Sequence, residues 1–286
     1  MFENIEEYYY PKSIPDAIKR MNNNPPGTVV PFTGSYHFVF PKLFSAKSLM
    51  DISKLGLDSI LIEKSKVRLG GTASLQSMVE SKELAKVADG IINKSAHIYW
   101  SKLQRNMTNL QDIISIGITY FDLLTALTAL DAQIILQGKT KRTIPVNQAF
   151  TGLYKSVVEN ELVKEVFFKI PSGNVFSSIQ RVGITDADVS ILSVVTLIKM
   201  KGRKCSFARI AAGSGLPCPT RIPSLEEELM GTTFNEISIN SISQKIRGKI
   251  EPISDIRGSS DYRKEICGVL VRRALMECYQ KAEGEK

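Results

Sequence analysis

The segments Phe176-Ser-Ser-Ile-Gln-Arg-Val182, Val189-Ser-Ile-Leu-Ser-Val-Val-Thr-Leu-Ile-Lys199 and Cys205-Ser-Phe-Ala-Arg-Ile-Ala-Ala-Gly213 follow one another almost without interruption. Each is rich in β-branched and aromatic residues, and Lys201-Gly202-Arg203 supplies a turn between the second and the third. Helices are predicted after them, over 224–230, about 237–246 and 262–281. In the last of these, Ile266, Leu270, Ala274 and Cys278 recur every fourth residue, which places one apolar face against the strands. A run of strands followed by a run of helices defines an α+β unit, not a βαβ array. The expectation is a three-stranded antiparallel sheet with helices, occupying 173–286. Its upstream limit is the turn-prone Ser172-Gly173-Asn174.

Upstream of that limit, the order of elements is mixed. Ser13 and Asp16 have capping-box spacing with Pro15 in the first turn, so a helix starts there and ends at Asn22-Asn-Asn-Pro-Pro-Gly27. Thr28-Val-Val-Pro-Phe32 reads as a short buried strand running into a turn at Thr33-Gly34-Ser35, and a second strand lies around Leu49-Met-Asp-Ile52. Ile60-Leu-Ile62 and Val67-Arg-Leu69 form a hairpin. Gly70-Gly71-Thr72 then leads into a helix reaching Val87. A helical stretch over 91–106, a polar loop over 107–112 and an apolar helix over 121–130 precede a hairpin of Gln133-Ile-Ile-Leu136 and Thr143-Ile-Pro-Val146. Strict β–α alternation is absent, so this half is α+β as well.

Composition narrows the function. The 286 residues are 43% hydrophobic and 23% charged, ordinary for a soluble globular protein of one large or two medium domains. No run approaches the roughly 18 apolar residues of a membrane helix, and the first residues lack a secretion-signal pattern. The four cysteines form no CxxC pair, so they read as reduced thiols of a cytoplasmic protein, without zinc-finger or iron–sulfur spacing. With two histidines, His37 and His97, a His-rich metal site or a Ser-His-Asp hydrolase is a poor fit. Neither GxGxxG nor GxxxxGK[ST] occurs. The formal net charge is +8, and the densest basic stretch, 199–221, reads as a solvated hairpin. It lacks the interleaved aromatics of a nucleic-acid binder. Gly70-Gly71 is read as making a turn, Asp122 as capping a helix and Asp188 as satisfying a strand end. In 254–263, which holds Asp255, Asp261, Arg257 and Arg263, Asp and Ser are read as capping the last helix while the arginines pair with carboxylates. Taken alone, these residues define no chemistry.

Taken in order, however, they resemble one family. The similarity is carried by Gly70-Gly-Thr-Ala-Ser-Leu75, Gln104-Arg-Asn106, Asp122-Leu-Leu124, Lys169-Ile-Pro171, Arg181, Pro219-Thr-Arg221 and Pro252-Ile-Ser-Asp-Ile-Arg-Gly-Ser-Ser-Asp-Tyr-Arg263. The chain resembles, over nearly its whole length, the FAD-binding medium subunit of molybdenum hydroxylases such as carbon monoxide dehydrogenase and xanthine dehydrogenase. The resemblance implies an N-terminal FAD-binding domain over 1–172, in parts of about 1–55 and 56–172, and a C-terminal domain over 173–286. It implies FAD as cofactor, with electrons passing from an iron–sulfur partner to an external acceptor such as NAD or quinone. The implied partners are a large molybdopterin subunit and a small iron–sulfur subunit.

In that family two loops hold the FAD pyrophosphate, because consecutive glycines let backbone N–H groups approach the phosphates. The first, Ala-Gly-Gly-Thr/His-Ser, is matched by Phe32, Thr33, Gly34, Ser35 and Tyr36 and keeps one glycine. The second, Thr-Ile/Leu-Gly-Gly-Asn, is matched next to Thr108 by Asn109, Leu110, Gln111, Asp112 and Ile113 and keeps neither. Gln111 is expected to fill the space and Asp112 to bring a negative charge towards a phosphate. Asp122 and Asp188, used near the flavin in the family, are retained, while Ser177 stands at the family's lysine. The alternative implied by the altered loops is a FAD-less paralogue with a structural or assembly role.

Overall fold

The structure is a computed structural model that describes residues 4–33, 46–98, 101–185 and 188–284. It opens with β1 (Glu7–Tyr9), α1 (Ile14–Asn22), β2 (Val29–Phe32) and β3 (Ser48–Asp51). The strands form a small parallel sheet in the order β1-β3-β2. Ser13 caps α1 as expected, its Oγ accepting the Asp16 N–H at 3.3 Å. Ala17, Ile18 and Met21 of α1 pack with Val29, Met50 and Ile52 beneath the sheet. β1, which the sequence reading missed, lies in a run of tyrosines that carries no clear alternation.

The second part comprises β4 (Ile60–Ile62), β5 (Lys66–Gly70), α2 (Leu75–Glu80), α3 (Ile91–His97), α4 (Lys102–Met107), α5 (Leu110–Ile116) and α6 (Asp122–Ala129). It continues with β6 (Gln133–Gln137), β7 (Lys141–Pro145), β8 (Phe150–Gly152), β9 (Lys155–Ser156) and β10 (Leu162–Lys169). A five-stranded antiparallel sheet runs β4-β5-β10-β6-β7. Its central strand, β10, escaped the sequence reading because a bulge between Val163 and Glu165 breaks the apolar alternation. Two helix expectations and one loop expectation are corrected. The helix that was to reach Val87 ends at Glu80, and Ala88, Asp89 and Gly90 then all take positive φ. The stretch 91–106 is two helices, the second restarted by a Ser101–Gln104 capping box. The loop 107–112 is mostly helix: Asn109 is an N-cap, and α5 begins at Leu110.

The C-terminal part holds β11 (Phe176–Val182), β12 (Leu192–Lys201), β13 (Lys204–Gly213), β14 (Thr220–Arg221), α7 (Pro223–Leu229), α8 (Glu236–Lys245) and α9 (Ser260–Gly284). The antiparallel sheet is β11-β12-β13-β14, so it has four strands, not the expected three; Thr220 and Arg221 pair with Ala212 and Ala211. Both faces of this sheet are covered. Val194 and Ile198 face α9, where Leu270, Ala274 and Cys278 are fully buried. Val195 and Leu197, of opposite parity, join the core around α6.

Candidate functional site

Thr33 follows β2 and meets Asn109, 76 residues later in the chain. The Asn109 Nδ2 group donates both to Thr33 Oγ1 and to Asp112 Oδ2, the latter at 3.0 Å. Asn109 Oδ1 accepts the Asp112 N–H, also at 3.0 Å. Thr108 donates its hydroxyl to the Gln104 carbonyl at 2.8 Å, and its own carbonyl accepts the Leu75 N–H at 2.9 Å. Leu110 is in the core. Phe32 is buried at the end of β2, while Gly34, Ser35 and Tyr36 lie outside the described residues.

Gln111 departs from its expectation. Its N–H donates to the Gly71 carbonyl at 2.6 Å, and its Oε1 accepts the Val163 N–H of β10 at 2.6 Å. The side chain is wholly buried and turned into the protein, so its bulk does not lie between the loops. Gly71 makes this close packing possible, since a Cβ there would sit 1.7 Å from the Val163 carbonyl oxygen. Gly71 does lie in a turn, as read from the sequence, but what requires a glycine there is this approach of β10.

Asp122 is the second focus. Phe121, not Asp122, is the N-cap of α6. The Asp122 carboxylate instead accepts hydrogen bonds from Ser190 and Ser214, both at 2.7 Å, with Arg181 Nε 3.9 Å away. Ser193 extends the chain of hydroxyls, 3.1 Å from Ser214 and 3.0 Å from Thr125 of α6. Complete burial pushes this carboxyl above its ordinary range, while the serine hydroxyls and Arg181 pull it back. Asp188 precedes β12; its main-chain carbonyl accepts from Arg181 Nη2 at 2.5 Å, and Arg181 Nε donates to Ser190 at 2.9 Å. Asp122 and Asp188 are therefore joined through Arg181. The serines were missed; Ser193 had a signal, a hydroxyl interrupting the apolar run of β12, while Ser190 and Ser214 lie just outside the strands.

Near the start of β11, the Ser177 N–H donates to Asp89 at 3.1 Å. Lys281 of α9 donates to the Ser177 carbonyl at 2.7 Å and to Asp89 at 2.9 Å, so an ammonium group does stand beside Ser177. In the basic stretch, Lys201, Arg203 and Lys204 form an exposed hairpin tip, whereas Arg221 is ion-paired to Glu226 at 2.5 Å. Asp255 binds Arg257 at 3.1 Å and the buried Arg263 at 2.7 Å, a structural network. Among the described residues no helix is long and apolar enough to cross a membrane, and no acidic, His and Cys group is arranged to hold a metal.

Residues 2–172 match the family model of the FAD binding domain in molybdopterin dehydrogenase, and 177–278 match that of the CO dehydrogenase flavoprotein C-terminal domain. The chain belongs to the family of FAD-binding medium subunits of molybdenum hydroxylases. It is 26% identical over 278 residues to the glyceraldehyde dehydrogenase medium chain of Sulfolobus acidocaldarius, covering 94% of this chain and 97% of that one. It is 23% identical to the carbon monoxide dehydrogenase medium chain of Hydrogenophaga pseudoflava over 94% and 95% of the two chains. In fold it matches the crystallised carbon monoxide dehydrogenase of Hydrogenophaga pseudoflava (TM-score 0.89, 23% identity, 98% and 99% covered). It also matches quinoline 2-oxidoreductase of Pseudomonas putida 86 (TM-score 0.87, 18% identity, 96% and 97% covered).

The donors at the loop junction decide whether the family's cofactor fits. The N–H groups of Gln111 and Asp112 are already committed to Gly71 and Asn109. The side chains facing the junction are Thr33, whose hydroxyl accepts from Asn109, and Asn109, whose amide is shared between Thr33 and Asp112; Gln111 Nε2 lacks a hydrogen-bond partner among the described residues but lies inside the fold. Among the described residues, the junction therefore offers side-chain groups and not the main-chain N–H groups of Gln111 and Asp112.

Proposed function

We propose that this chain is the flavin-carrying medium subunit of a molybdenum hydroxylase, standing between an iron–sulfur partner and an external electron acceptor. The reading is supported above all by the meeting of the two loops at Thr33 and Asn109, within a chain that spans almost the full length of its medium-chain relatives. When bound, the flavin would connect carriers of single electrons to an acceptor of electron pairs. Thr33 and Asn109 would bind the diphosphate, and the Asn109–Asp112 pair would orient that amide. The hydroxyl chain around Asp122 holds α6 against the ends of β12 and β13 and keeps water out of that seam. Substrate chemistry would belong to a large molybdopterin subunit and the first electron relay to a small iron–sulfur subunit, since this chain has no CxxC pair of its own.

One observation favours the FAD-less alternative: the carboxylate of Asp112 is buried at the junction, where a diphosphate would bring like charge. Absorbance spectroscopy of the purified full chain separates the two readings. Flavin bands, retained on gel filtration or regained on adding FAD, are expected; a colourless protein that ignores added FAD would leave the scaffold reading.

A further inference from the structure

We propose that Asn109 and Asp112 form a clasp that closes the two loops on each other, and that the Asp112 carboxylate sets how tightly this chain takes a diphosphate-bearing flavin. This inference rests on the flavin reading above and concerns the regulation of that same site. Every polar atom of the Asn109 side chain is engaged: Oδ1 by the Asp112 N–H, and Nδ2 by Asp112 Oδ2 and Thr33 Oγ1. Of these bonds, the one to Thr33 joins the two loops. The bonds to Asp112 lie within the first turn of α5 and fix the amide so that its second N–H faces Thr33. Asn109 is 2% exposed and Asp112 is fully buried, so neither is a loosely hydrated surface group.

Two consequences follow for an incoming diphosphate. On the α5 side the main-chain N–H groups of Gln111 and Asp112 are spent on Gly71 and Asn109 itself, so the donor there for it to take over is the Asn109 N–H that Thr33 now accepts. It must also approach a carboxylate screened by little water, where like charges repel more strongly than at a surface. Gln111 plays no part in this, since it is anchored to Val163 inside the fold. Of the two residues that stand where the family has glycines, Asp112 alone is placed to oppose the ligand.

The test is titration of the full-length chain with FAD and, separately, with riboflavin, followed by flavin fluorescence. Asp112→Asn removes the charge and keeps an acceptor for Asn109 Nδ2; Asp112→Gly removes both charge and clasp and serves if the first variant fails to fold. Each is expected to bind FAD at least tenfold more tightly than the unmodified chain, about 1.4 kcal/mol, with riboflavin binding unchanged. Equal FAD affinity in all three proteins would overturn the clasp and leave the flavin reading standing. Equal tightening of riboflavin would also overturn it, because riboflavin has no phosphate. Failure of all three to bind FAD would overturn the clasp and the flavin reading together.

Discussion

Asp122 is a carboxylate with no exposed surface, held by two serine hydroxyls and a more distant arginine. Its folded-state pKa is raised, with burial as the first cause. A carboxyl raised in this way contributes stability in full below the range where the unfolded chain titrates, about pH 4, and loses it as the pH climbs towards the folded value. The stability of the unmodified protein relative to Asp122→Asn should therefore fall as pH rises from about 4. Urea midpoints of both proteins across that range check this, and a difference independent of pH would contradict it. Gln111→Gly should be destabilising, by about 1–3 kcal/mol for the unpaired Val163 N–H and about 1 kcal/mol for glycine in a helix; chemical denaturation would measure it. Burial also pushes Cys267 and Cys278 up to about 12 and Cys205 to about 11, whereas Cys218 is half-buried. A thiol reagent at pH 8 should thus label at most Cys218 before unfolding. The sequence exposed little at this scale. It read Asp122 as an ordinary helix cap and marked Asp112 and Gln111 as standing where the family has glycines, but the direction of the Gln111 side chain depends on β10, 52 residues away, and no local pattern encodes that.

Elements with strong periodicity were legible. α9 was visible through Ile266, Leu270, Ala274 and Cys278, and three of these are fully buried with Ile266 packed at their margin. Leu270→Ala should destabilise by about 2–5 kcal/mol; a loss under about 1 kcal/mol on the same scale would make the helix peripheral. The long strands of the C-terminal sheet were equally plain, whereas the two-residue β14 is too short for any pattern. The site-bearing helix was not legible. α5 was taken for loop because Thr108-Asn109-Leu110-Gln111-Asp112 is polar, yet that polarity is the cap: Asn109 accepts the N–H three residues on, and Asp112 in the first turn suits the helix dipole. β10 was lost because Lys164 and Glu165 follow one another at a bulge, which breaks the alternation of its apolar residues. In α5 the polar residues have local partners, and in β10 Glu165 pairs with the distant Arg68; a reading of hydrophobic pattern ignores both.

For the whole molecule, the partner expectation has a direct test. Affinity purification from the native cell should recover a large molybdopterin subunit and a small iron–sulfur subunit with this chain; recovery of neither would remove the assembly from the reading. The change in texture near Ser172 was legible from the sequence, because after it strands and then helices occur in blocks, whereas before it they are mixed. How the blocks share a core was not. The sheet β11-β12-β13-β14 gives one face to α9 and the other to α6, which belongs to the preceding part of the chain. Gly213 is pressed so close to α6 that a Cβ would lie 2.1 Å from Thr125 Oγ1. The two halves are thus bound like the leaves of a book sharing one spine. Cutting the chain near Ser172 would leave 173–286 with Val195, Leu197 and Ala211 bare to water, so that fragment should be insoluble when expressed alone. Heat should melt the intact chain in a single calorimetric step, and a gene that exchanged only its second half for a relative's would have to bring a matching α6 along.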